Sequence, residues 1–154
     1  MILYNLQYIG MDPVTCTYIN TFTLIVALVP IWRYIIIHDI LGTLLCCCSF
    51  VAAVLMHLSD TKHGLPGVHF KKYSRYLLSI DRFVTCVLAG YGIVNYVMNY
   101  IVDPDITSLI VSVTTFGIGL VALELSDRTD NLILFTILRT VWHVCAYGTL
   151  AYII

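Results

Sequence analysis

The chain has 154 residues, of which 60% are hydrophobic and only 11% charged, and its formal net charge is −1. Such a composition lies outside the range of soluble domains and points to an integral membrane protein that forms one domain over residues 1–154. Eight Lys and Arg nearly cancel nine Asp and Glu, so no basic surface is available to follow phosphates, which argues against nucleic acid as a partner.

In chain order, Met1 to Pro13 carries no Lys or Arg ahead of its first apolar stretch. It therefore lacks the charged start of a cleaved signal peptide, and the first span is expected to stay in the protein. A bilayer core takes about 20 apolar residues per helix, and five stretches approach that length: 14–32, 40–57, 77–99, 106–125 and 132–154. The expected fold is all-α, a polytopic transmembrane helical bundle of about five spans. Pro30 near the end of the first predicts a kink. A tight hairpin follows at 33–39, then a polar loop at 58–76, an acidic turn at Asp103-Pro104-Asp105 and a last turn at 126–131. Within the long loop, Gly64-Leu65-Pro66-Gly67 interrupts any helix and predicts that the segment folds back along the membrane surface.

Lys62, Lys71, Lys72, Arg75 and Arg128 fall on the same side as the N-terminus, and Arg33 alone falls opposite. By the distribution of bases the N-terminus and the 58–76 loop are expected in the cytoplasm, with the C-terminus extracellular or luminal. Five of the six cysteines lie inside apolar runs without C-x-x-C spacing. Successive helix positions such as Cys46, Cys47 and Cys48 point roughly 100° apart and cannot converge on one ion, so they read as small hydrophobes.

Inside the third span Asp81, Thr85, Gly92, Asn95 and Asn99 share one face, which should line the bundle interior. Ser108, Ser112, Thr115 and Gly119 repeat along the fourth, a pattern of small residues that lets membrane helices pack closely within the chain or in an oligomer. Arg139 and His143 stand one above the other in the last span, beside Thr136, Thr140 and Tyr147. A charge in hydrocarbon costs at least roughly 2.5 kcal/mol, so Arg139 should turn inward to an acid, either Asp81 or Glu124.

The string from Met56 to Gly67 brings two histidines, an acid and a base to the end of an apolar run. His57 closes the second span, Asp81 opens the third and His143 lies about two turns below the same surface, so all three can share one site. Two imidazoles with a carboxylate could hold zinc and leave a position open for water. Such a water, with its pKa lowered to roughly 7, could hydrolyse a lipid amide or ester. His63 could supply the second nitrogen instead, and Asp60, three residues after His57, could orient its imidazole or simply cap the helix. The plainer alternative makes His57, His63 and His69 interfacial residues and leaves Asp81 to pair with Arg139. Lys71, Lys72 and Arg75 read as topology determinants that also touch anionic lipid.

A His closing the second span, an Asp opening the third and a His in the last span resemble the seven-helix CREST superfamily of alkaline ceramidases, progestin/adiponectin-type receptors and the myomaker group. Residues 50–100 carry most of the likeness, which is nearest to the myomaker-like branch. The resemblance implies metal-ligand roles for His57 and His143 and a role as site acid for Asp81. The chain departs from the family at Ala53, where a serine is expected, and at Arg139, where the first His of a His-x-x-x-His pair is expected; it is also two spans short of seven. The string around His57 is similar, too, to small uncharacterised polytopic proteins of protists and large DNA viruses. Three functions follow as expectations: a zinc-dependent lipid hydrolase, a non-enzymatic membrane remodelling or helix-packing module, and a small oligomeric ion or proton pathway using Asp81, Asn95, Asn99 and Arg139.

Overall fold

The computed structural model describes residues 11–154; the reading of Met1 to Pro13 lies, up to Gly10, outside them. Five helices are long and apolar enough to cross a membrane: α1 (Pro13–Ile36), α2 (Ile40–Ser59), α3 (Lys71–Val102), α4 (Ile106–Arg128) and α5 (Leu132–Ile153). No strand occurs among the described residues, and the chain is an all-α bundle with the architecture of a multipass membrane protein.

The helix starts follow from local chemistry. Asp12, Asp39, Asp105 and Asn131 each accept a backbone N–H from the first turn that follows them, satisfying donors that a helix start leaves free. In α1 the bonding tightens to 3₁₀ over Leu24–Ala27. Pro30 explains this, because its ring crowds the carbonyl of Val26 and it has no N–H to return. The first helix thereby runs to Ile36, beyond the 14–32 read from hydropathy.

The helices form an arc in which α1 packs against both α2 and α5, α3 lies on α2, and α4 lies on α5. Leu24 and Ala27 of α1 meet Ala53 and Tyr147 in one core cluster, and Tyr34, Cys46, Leu88 and Leu150 form another. The arc narrows where α3 meets α5, since a Cβ on Gly92 would lie 2.9 Å from Leu150 Cδ1. Outward, Phe22, Trp32, Phe83 and Ile101 are more than 60% exposed. An apolar girdle of that kind suits hydrocarbon surroundings rather than water.

The loop after α2 sends Leu65 into the bundle while Lys71, Lys72 and Tyr73 stay exposed. Leu65 is buried with Cys16 of α1 and Phe135 of α5, so the loop caps the bundle at the level where those two helices begin. Asp60 accepts the N–H of Lys62, and His69 donates its N–H to the Leu58 carbonyl, closing the loop on itself. Gly67 has φ +58°, and a Cβ there would sit 2.9 Å from Thr61 Cγ2 and 3.1 Å from the Ser59 carbonyl; the turn needs a residue without one.

Candidate functional site

Three helices deliver polar side chains to one buried place: Thr23 from the middle of α1, His57 from the last turn of α2 and His143 from the middle of α5. His143 Nδ1 lies 2.8 Å from Thr23 Oγ1, and His143 Nε2 lies 3.1 Å from His57 Nε2. The rings cross at 83° with centroids 5.0 Å apart, and both histidines are at least 96% buried.

The proton positions follow from the row of bonds. The Thr23 hydroxyl donates to the Asn20 carbonyl at 2.8 Å, so towards His143 it offers only lone pairs and His143 Nδ1 must donate. With the ring neutral, its Nε2 then accepts, and His57 Nε2–H is the donor. One turn further along α5, Tyr147 OH lies 3.3 Å from Ser49 Oγ, which lies 3.4 Å from Thr85 Oγ1. This second row joins α2, α3 and α5.

Arg139, one turn before His143, donates from Nη2 to Asp127 Oδ1 at 2.8 Å. Its guanidinium carbon stands 5.4 Å from the centre of the Phe135 ring, and Lys62 Nζ is 3.9 Å from the same Asp127 oxygen. The expected partners, Asp81 and Glu124, are therefore replaced by Asp127. Side chains lean towards the start of their helix, and the long Arg139 stem follows that lean to the α4–α5 turn. Glu124 instead binds Arg128 one turn on, at 2.6 Å. Asp81 is half-buried, and no ion pair of Asp81 occurs among the described residues.

The other proposed site residues are dispersed. Asp60 turns its carboxylate to the Lys62 N–H, which serves the loop and not the His57 ring. The His63 ring lies 4.8 Å from the Phe135 ring, tilted by 42°, near the cap. Along α4, Ser112 and Gly119 are buried while Ser108 and Thr115 are half-buried; a Cβ on Gly119 would lie 2.8 Å from Cys145 Cβ. That close-packing face is thus spent inside the chain, against α5.

Reading the sequence missed Thr23, Asp127, Cys16 and Asn20. Cys16 Sγ lies 2.7 Å from Thr136 Oγ1, and Asn20 Nδ2 lies 3.6 Å from the same sulfur. A signal was present: Cys16, Asn20 and Thr23 recur at steps of four and three in an apolar span, the spacing of one helix face.

The His57–His143 separation is close to the edge, about 3.3 Å, of a tetrahedron built on zinc–nitrogen bonds of about 2.0–2.1 Å. Among the described residues, however, no third His, Cys, Asp or Glu gathers with them. The donor set is one ligand short of the three that an open zinc centre uses. In comparisons with protein-family models, curated proteins and solved structures, none matches the chain.

Proposed function

We propose that the chain is a non-enzymatic multipass membrane module for remodelling or helix packing, in which the His57–His143 pair fastens α2 to α5 under the loop cap. What supports this reading is the pairing itself: Thr23 Oγ1 accepts a hydrogen bond from His143 Nδ1–H, and His57 Nε2–H occupies the remaining lone pair. A general base needs that lone pair free for a substrate proton. Ala53 and Arg139, which replace a serine and a histidine of the CREST-like pattern, favour the same reading. The distribution of bases supports a cytoplasmic loop end.

The reading is tested by reconstituting the full chain in vesicles and following lipid mixing alongside the release of fatty acid from ceramide and phospholipid. Lipid mixing above protein-free vesicles with no fatty acid released is the expected result. Fatty acid release that disappears in His57→Ala and His143→Ala would overturn it.

A zinc-dependent hydrolase is the second reading, favoured by the spacing of the two Nε2 atoms. His57 and His143 would be its protein ligands. Stoichiometric zinc in the purified chain, lost in both alanine variants, is the result this second reading requires.

A further inference from the structure

A cleft of about 280 Å³ lies between the end of α2, the start of α3 and α5. Lys62, Arg75 and Arg139 line it with a single carboxylate, that of Asp60, which already accepts the Lys62 N–H at 2.9 Å. Arg139 is 92% buried, and its Nε has no hydrogen-bond partner among the described residues. Its Nη2 is held by Asp127. Arg75 is exposed and without a carboxylate partner among the described residues. Three cations from three segments line one small volume, two of them, Lys62 and Arg139, sharing the Asp127 carboxylate outside the lining.

We propose that this cleft binds a phosphate or phosphoester anion, the headgroup phosphate of an anionic phospholipid being the source its walls favour. Arginine forks match phosphate oxygens in pairs, and a lysine adds a point charge. Ser74 contributes a hydroxyl to the lining, while Met56 and Leu78 give it an apolar side. The cleft also opens where α3 and α5 have separated: Leu78 lies 14 residues before the Gly92 contact with Leu150, about 21 Å along the helix. A headgroup can therefore seat among the cations while its chains remain beside the helices. The proposal uses neither His57 nor His143, so it stands or falls independently of the reading above.

The test titrates the full chain in a nonionic detergent, by calorimetry, with dioctanoyl phosphatidic acid, dioctanoyl phosphatidylcholine and inorganic phosphate. Phosphatidic acid is expected to bind at least tenfold more tightly than phosphatidylcholine. Arg75→Gln should weaken it tenfold or more, and Arg33→Gln, which neutralises an exposed base outside the cleft lining, should leave it unchanged. Phosphatidic acid binding tenfold tighter than inorganic phosphate assigns the site to lipid; equal affinities assign it to a free phosphate anion, and both support the site. Lys62→Gln repeats the test if Arg75→Gln lowers the melting temperature. Equal binding of the two lipids, or equal weakening by the cleft variants and Arg33→Gln, overturns the proposal.

Discussion

Thr23 contributes to the site only through its hydroxyl oxygen, which makes it a sharp test of the proton assignment. Thr23→Val keeps the shape and leaves His143 Nδ1–H buried without an acceptor, a loss expected to cost about 1–3 kcal/mol. Thermal unfolding in detergent should show it, with Thr23→Ser restoring most of the stability; equal melting of Thr23→Val and the parent would refute the assignment. Asp127 offers a second contrast. Removing it as Asp127→Ala strands the buried Arg139 and should cost about 1–3 kcal/mol, below the figure for a fully buried pair because the Asp127 side chain is 35% exposed. Glu124→Ala breaks only an exposed pair and should stay within about 1 kcal/mol of the parent, whereas the reverse order would restore Glu124 as the essential acid. The meeting of His57 and His143 was legible from span ends and depth. The partner of Arg139 was not, because a side chain that reaches back to a turn escapes any rule based on residues sharing a helix face.

At the level of helices, α4 and α5 are held by small residues whose positions differ sharply in tolerance. Gly119 faces Cys145 and Trp142 closely, while a Cβ on Gly117 would have nothing within 4 Å. Gly119→Leu should therefore destabilise by about 1–3 kcal/mol through overpacking, and Gly117→Leu should be nearly neutral. Chemical unfolding of the two variants measures the difference, and similar losses would place the tight contact elsewhere. The spacing of Ser112 and Gly119 made a packing face legible, but periodicity does not say whether the neighbour is a helix of the same chain. The loop was harder to read. Gly64-Leu65-Pro66-Gly67 announces a turn, yet only the apolar space between Cys16 and Phe135 draws Leu65 inward.

Taken whole, the bundle has five helices long and apolar enough to cross a membrane, and if each crosses in turn, residues in successive loops emerge on opposite sides of a bilayer. Cysteines introduced as Lys72→Cys and Asp103→Cys should react with an impermeant maleimide from opposite faces of sealed vesicles, above the labelling of the parent chain; reaction from one face would remove a span. The five helices were legible because hydrocarbon thickness fixes a minimum run of apolar residues. Their arrangement as an arc was not, since hydropathy records only that a residue avoids water, whether it meets lipid or another helix. The row from His57 through His143 to Thr23 carries one more consequence. A line of hydrogen bonds conducts only if each link can reverse and both ends can exchange. This one ends on the Asn20 carbonyl, an acceptor with no proton to hand on. Seen this way it is a dead end rather than a wire, and a proton held along it stays put.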